Sequence, residues 1–438
     1  MPLLKRLTAN LALILGGVLA AMLIAEAILR VTPLGKTSFY TYDPELGWTL
    51  VPGAHGWLRD EGVAYLSVNR WGYRGPDWQL AKPPGTFRVA VLGDSMTEAQ
   101  QVAEQDTFCA VIQRSLTDSA ALKSAGFKRA EVMNFGCDGY GTAQELIVLK
   151  RRVWKFSPDV IVLAVFLGND VRNNSVTLEG DKCRPFYVYR GDGLVLGGPF
   201  EDSWSFRMGC MMRFESRHSQ VLNLLGEARS TVRAWWRRRR ARRNGQSGNG
   251  ALAARGQGSL DARFMPSADS SWIDAWRVTE GEITMVQQDV VYHGARLLVA
   301  TLTTGDQVNP NAAERDGYAK RLGVSNLFYS DYRVKQLGER NGFAVLNLAP
   351  AMQQYATAEH AYLHGFSNSA PGVGHWNAHG HLIAGQLIAA RLSAMIGPGS
   401  VSTPSSGHAS ASGSAASRAG AELPRFSPRP ASKPEPSM

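Results

Sequence analysis

Gly93-Asp94-Ser95 follows the apolar run Phe87 to Leu92, and the chain later offers Gly139, Gly168-Asn169-Asp170 and His375. A serine at the carboxyl end of a strand can act as a nucleophile when an imidazole lies within hydrogen-bond reach, and His375 is the candidate base. A backbone amide at a helix start, a glycine N–H and an asparagine side chain can each donate to an oxyanion without adding charge of their own. Ser95, Gly139 and Asn169 supply those three donors. Plainer roles exist for each: Ser95 as an N-cap, Gly139 as a turn glycine, Asn169 and Asp170 as caps of the next turn. Asp170 is expected to be structural. His375, His379 and His381 resemble a metal cluster. However, there is no H-E-x-x-H, and His379 and His381 cannot share a helix face. No metal and no cofactor is expected.

Strands alternating with helices must position these residues. Phe87 to Leu92, Glu131 to Phe135, Val160 to Phe166, Leu297 to Leu302 and Phe343 to Leu348 are β-rich apolar runs. Val160 to Phe166 is almost continuously apolar, as a strand buried on both faces would be. Phe108, Val111, Ile112 and Leu116 recur at helical spacing, and Leu146, Leu149 and Val153 trace a helix ending near Phe156. Further helices are expected at Trp276 to His293, before Asn341, and at His379 to Ile396. Such βαβα order predicts an α/β fold, a parallel sheet with helices on both faces and its site at the carboxyl ends of the strands.

Taken in order, the blocks around Ser95, Gly139, Asn169 and His375 resemble the SGNH hydrolases, also called the GDSL lipase/acylhydrolase family. The likeness covers about Phe87 to Ile396 without the insertion described below. It implies a three-layer α/β/α, flavodoxin-like fold and a serine esterase. Ser95 would be the nucleophile and His375 the base, with the Ser95 amide, Gly139 amide and Asn169 side chain as the oxyanion hole. Asn69 to Gly75 and the N-terminal apolar segment resemble the membrane-attached bacterial members. One departure stands out: the family places an aspartate two or three residues before its histidine, where this chain has Val373 and Gly372. Asp94 is not expected to fill the gap. The orienting group would be Glu359 or Asp306, or a backbone carbonyl in a Ser–His dyad.

The rest of the chain bounds location and partners. It has 438 residues, 44% hydrophobic and 19% charged, with a net charge of +10. Much of that charge sits in Arg237 to Arg240 with Arg242 and Arg243. No zinc-finger, RNA-binding or phosphate-loop motif accompanies the burst, so nucleic acid is not expected as a partner. Beside Trp235 and Trp236, the arginines suit either an anionic surface or a solvated helix end. Lys5 and Arg6 precede an uncharged run from Leu7 to Ala25, which would rise about 28 Å as a helix, near the hydrocarbon thickness of a bilayer. Ala25-Glu26-Ala27 is also A-x-A-like, as in a cleaved signal peptide, but the run exceeds a signal core and Ala27, Ile28 and Leu29 follow.

The expected organisation is therefore a cytoplasmic N-terminus over 1–6 and a transmembrane anchor over 7–29, then a membrane-proximal lead-in over 30–85. A catalytic domain follows over 86–396, with an irregular insertion near 171–271, and a disordered Ser/Ala/Gly/Pro tail over 397–438. The catalytic part would face the periplasm. Cys183 and Cys210 there could pair or stay as thiols, while Cys109 and Cys137 sit in apolar patterns as packing residues. The expected activity is hydrolysis of small O-acyl esters, with an acetylated cell-envelope glycan or lipid as substrate. A polysaccharide O-acetyltransferase using the same site and a non-catalytic glycan-binding protein are the competing expectations.

Overall fold

The apolar runs become a five-stranded parallel sheet, preceded by two small hairpins that the sequence pattern does not announce. In the computed structural model, which describes residues 2–31, 38–215, 218–222 and 261–396, β1 (Tyr40–Asp43) pairs antiparallel with β2 (Gly47–Leu50) and β3 (His55–Leu58) with β4 (Ala64–Ser67). The sheet follows with β5 (Thr86–Gly93), β6 (Arg129–Asn134) and β7 (Val160–Phe166). A further hairpin joins β8 (Phe186–Arg190) to β9 (Gly193–Gly197), and β10 (Arg296–Leu302) and β11 (Ala344–Asn347) complete the sheet. Its spatial order is β11-β10-β7-β5-β6, all parallel. Counted among the parallel strands alone this is the 2-1-3-4-5 order of the flavodoxin-like fold.

Every residue of β5 is buried, and all but the last of β7. Their side chains alternate between two cores, as the two-residue period of a strand requires. Ala90, Leu92, Ile161, Leu163 and Val165 join the core shared with Ala275, Ile283 and Val286 of the helix Ser270–Tyr292. Val89, Val91, Val160, Val162 and Ala164 join the opposite core with Ile112, Met352, Ile383 and Leu392. The helices Phe108–Asp118, Leu348–Ala358 and Ala378–Ile396 carry those four. Two separate cores across one sheet make the three layers.

Several details depart from the expected pattern. Helices Ala312–Leu322 and Leu348–Ala358 were not anticipated. The first carries one buried residue, Ala319, and so has little apolar period to read. The second contains Pro350, tolerated because it falls in the first turn. Within the expected insertion, β8, β9 and the helices Pro199–Asp202 and Trp204–Glu215 are regular. The arginine burst at Arg237 to Arg243 and the 397–438 tail lie outside the described residues. The N-terminal helix runs over Pro2–Val31, and its window Leu13–Arg30, with mean hydropathy 2.1, is long and apolar enough to cross a membrane. None of that window is buried by the protein.

Cys183 and Cys210 form a disulfide, resolving the two alternatives, whereas Cys109 and Cys137 are buried free thiols. The bridge spans a sequence separation of 27. Closing a loop of that size stabilises by about 3.5 kcal/mol in the chain-entropy account. Replacing both cysteines by serine should lower unfolding stability by that order in a urea melt, and an unchanged midpoint would refute it.

Candidate active site

The Ser95 turn grows directly out of the sheet. β5 ends at Gly93, and Asp94 caps the short helix Ser95–Glu98 by accepting the Met96 amide on Oδ1 at 2.9 Å. Ser95 becomes the first helical residue and is 5% exposed. The loop after β6 is fastened to this turn. The Asn134 amide donates to the Thr97 carbonyl at 2.7 Å, and the Asp138 N–H donates to Glu98 Oε2 at 2.6 Å. Gly139 follows at φ +74, where a Cβ would meet Trp48 and Arg184.

From the end of β7, Asn169 reaches back, and its Nδ2 donates to Asp94 Oδ2 at 3.0 Å. The second Nδ2 hydrogen is left for another acceptor. Asp170 accepts the Phe166 amide at 2.7 Å and is fully buried, in keeping with the structural role expected of it.

His375 reaches Ser95 from the loop before the last helix. Its Nε2 lies 2.8 Å from Ser95 Oγ. The sequence left the orienting acid between Glu359, Asp306 and a backbone carbonyl, and the structure corrects all three. The acid is Glu61, in the turn of the β3–β4 hairpin, whose Oε2 is 2.6 Å from His375 Nδ1. Its other oxygen accepts the His375 backbone N–H at 2.9 Å. Asp306 pairs instead with Arg263, and Asp94 is committed to Met96 and Asn169. The carboxylate can come this close because residue 374 is glycine at φ +85: a Cβ there would overlap Glu61 Oε1.

The three histidines diverge. His379 hydrogen-bonds the Tyr355 hydroxyl and His381 lies against the Phe108 amide, so each ring has a different partner.

Electrostatics suit proton transfer. Burial alone would lower the His375 pKa, but the hydrogen bond and charge of Glu61, aided by Asp94 and Asp138, hold it above the ordinary imidazole value. Glu61 is raised by burial and lowered more by His375, and ends below the ordinary carboxylate value. Burial pushes Asp94 up to about 6 despite its hydrogen bonds from Asn169 and Met96, and Glu98 up to about 8. A serine hydroxyl, an imidazole acceptor and a carboxylate in line can pass a proton from Oγ to Nε2 while the carboxylate fixes the tautomer.

Ser95 and His375 are thus in direct contact. Asn169 is one hydrogen bond from the residue before the serine, and Gly139 sits on the loop tied to the serine helix. Glu61 is the residue the sequence did not reveal. The only local marks were the Glu61-Gly62 pair in a polar turn and a glycine immediately before His375.

No family model and no curated protein matches the chain. Among solved structures it is similar to the acetyl xylan esterase AlAXEase, at 14% identity over 70% of this chain and 100% of that one, TM-score 0.35. It is similar to a lipase/acylhydrolase from Enterococcus faecalis, at 13% identity over 70% of this chain and 96% of that one, TM-score 0.32. It is also similar to a catalytic mutant of an acetylxylan esterase from Geobacillus stearothermophilus, at 11% identity over 72% and 97% respectively, TM-score 0.34.

Glu61→Gln should keep the fold and lower kcat for an ester such as nitrophenyl acetate by roughly 10³- to 10⁴-fold. With neutral His375 as the expected base, kcat/KM should rise with pH through its raised pKa, and removing the carboxylate should move that midpoint down. A pH–rate profile checks both effects. A loss under threefold with an unmoved acid limb would exclude Glu61 from this role.

Proposed function

We propose that this protein is a membrane-anchored serine esterase of the SGNH type that cleaves small O-acyl esters. The observation that carries it is the continuous line from Ser95 Oγ through His375 to Glu61, with contacts of 2.8 and 2.6 Å. Ser95 Oγ attacks the ester carbonyl while its proton passes to His375 Nε2. The carbonyl oxygen becomes an oxyanion, which the Ser95 and Gly139 amides and the free Asn169 Nδ2 hydrogen receive. One such donor is worth about 10²- to 10³-fold in rate.

The alkoxide leaves with the proton from Nε2, giving an acyl-enzyme and an alcohol. Water then attacks the acyl carbon, gives its proton to Nε2, and the carboxylic acid departs as Ser95 recovers its proton. Glu61 remains ionised and stabilises the imidazolium at each stage.

The N-terminal helix supports membrane attachment, because its exposed leucines and isoleucines have no cover among the described residues. Lys5 and Arg6, ahead of its apolar window Leu13–Arg30, favour a cytoplasmic N-terminus and an extracytoplasmic catalytic part, the compartment in which the Cys183–Cys210 bridge is stable. An O-acetyl group on a cell-envelope glycan or lipid is the substrate that fits this location.

The test uses the full chain in detergent, nitrophenyl acetate and a fluorophosphonate probe. Ser95→Ala should abolish labelling and cut hydrolysis by at least about 10³-fold. Equal hydrolysis by both proteins, or neither hydrolysis nor labelling of the wild type, would overturn the proposal. Acceptor-dependent acyl transfer outpacing hydrolysis would make it an acyltransferase instead.

A further inference from the structure

The base and its acid come from opposite ends of the chain, and one exposed side chain ties their two loops together. Asn368 Oδ1 accepts the Gly62 N–H at 2.8 Å, while its Nδ2 donates to the Arg59 and Gly62 carbonyls at 3.0 Å each. Gly62 directly follows Glu61, and Asn368 lies on the same loop as His375. We propose that Asn368 is a positioning residue of the esterase site, holding the turn of the β3–β4 hairpin so that Glu61 faces His375. This rests on the proposed function and adds a residue that touches neither substrate nor reacting atoms.

The loop that carries His375 is already rigid without Asn368. The Gly365 N–H donates to the His375 carbonyl at 3.0 Å, Gly372 to His364 at 2.9 Å and Asn377 to Leu363 at 3.1 Å. His364 Nδ1 also meets the Gly374 carbonyl at 2.7 Å. The hairpin turn has no such frame. Among the described hydrogen bonds, residues 59–63 are joined to the rest of the protein only through Glu61 and Asn368.

Gly62 itself stands at φ +70 with no room for a side chain, since a Cβ would overlap the Gln101 carbonyl and touch Phe366. The turn is therefore seated closely but, among the described hydrogen bonds and apart from those of Glu61 itself, fastened only through Asn368. An asparagine suits that point because its amide offers an acceptor and two donors at once. Its exposure means that shortening it removes these bonds without opening a core cavity.

Asn368→Ala in the full chain tests the assignment. Misplacing the acid should lower kcat for nitrophenyl acetate about 10- to 100-fold with KM held within about twofold, since the altered contacts act on positioning. His375 is faced by Glu61 from the hairpin, Asp94 and Asp138 from the loops after β5 and β6, and His364 and His381 from the C-terminal segment. Only Glu61 is released by the variant, so the His375 titration midpoint, followed by NMR of ring-labelled histidine, should fall.

The double variant Glu61→Gln with Asn368→Ala should be no slower than Glu61→Gln alone, because both act through one contact. Asn368→Ser repeats the test if the alanine variant does not fold. Unchanged kcat and titration, or losses that multiply in the double variant, would overturn the assignment. The titration does not depend on turnover. Failure of the esterase proposal would appear separately, as a wild type that neither hydrolyses esters nor labels at Ser95.

Discussion

A carboxylate held 2.6 Å from an imidazole nitrogen, with its second oxygen on the same residue's backbone amide, is the constraint around which the rest of the site is arranged. Both groups are about three-quarters covered, with side-chain exposures of 26% and 22%. Removing charges from water costs free energy unless hydrogen bonds replace the lost hydration, and here both carboxylate oxygens find donors. Meeting that condition fixes three things at once. Residue 374 must lack a Cβ, the hairpin turn must approach His375 from outside the sheet, and the segment before β5 must be docked firmly enough to keep it there. Arg74 supplies part of that docking, as its buried guanidinium donates to the carbonyls of Glu98, Ala99 and Val102 beside the serine turn. The segment before β5 is thus part of the site.

Below the site, ionisable groups act as fasteners. Glu98 accepts from the Tyr40 hydroxyl of the first hairpin and from the Asp138 amide of the β6 loop, joining three segments at the base of the serine helix. Asp94 joins the serine turn to Asn169. Burial raises the pKa of both acids, and that is the cost of setting carboxyls where neutral amides must be aimed. Natural sites commonly accept such local destabilisation in return for preorganised donors.

The legible parts of this protein were those encoded locally. β5 and β7 are continuous apolar runs because both their faces are covered, and the sequence shows it. Ser95 and His375 stand beside strong local signals, a strand end and a helix start. Asn169 and Gly139 are legible for the same reason. Glu61 is different in kind. Its turn lies between two four-residue strands with exposed faces, so neither periodicity nor composition sets it apart. Its partner is 314 residues away, and no local rule links the two. What the sequence did show was the vacancy, since Val373 and Gly372 stand where an aspartate was expected. The helices Ala312–Leu322 and Leu348–Ala358 escaped for other reasons, one burying a single residue and so showing little apolar period, the other carrying a proline in its first turn.

This division follows from the topology. Chain order reverses beside β5, because β6 lies on one side of it and β7 on the other, and a crevice opens at such a switch point. Ser95, Gly139 and Asn169 leave the ends of β5, β6 and β7, three adjacent strands, so the sheet itself sets these three residues around that crevice. A parallel sheet cannot orient His375 in the same way, since it sits on a loop before the last helix. Its ring needs a partner from outside the sheet. Any segment that can bring a carboxylate to Nδ1 satisfies the chemistry, whether it comes just before the histidine or from the far end of the chain. The acid is therefore the member of the line whose position the fold leaves open, and in this chain a hairpin of the lead-in fills it.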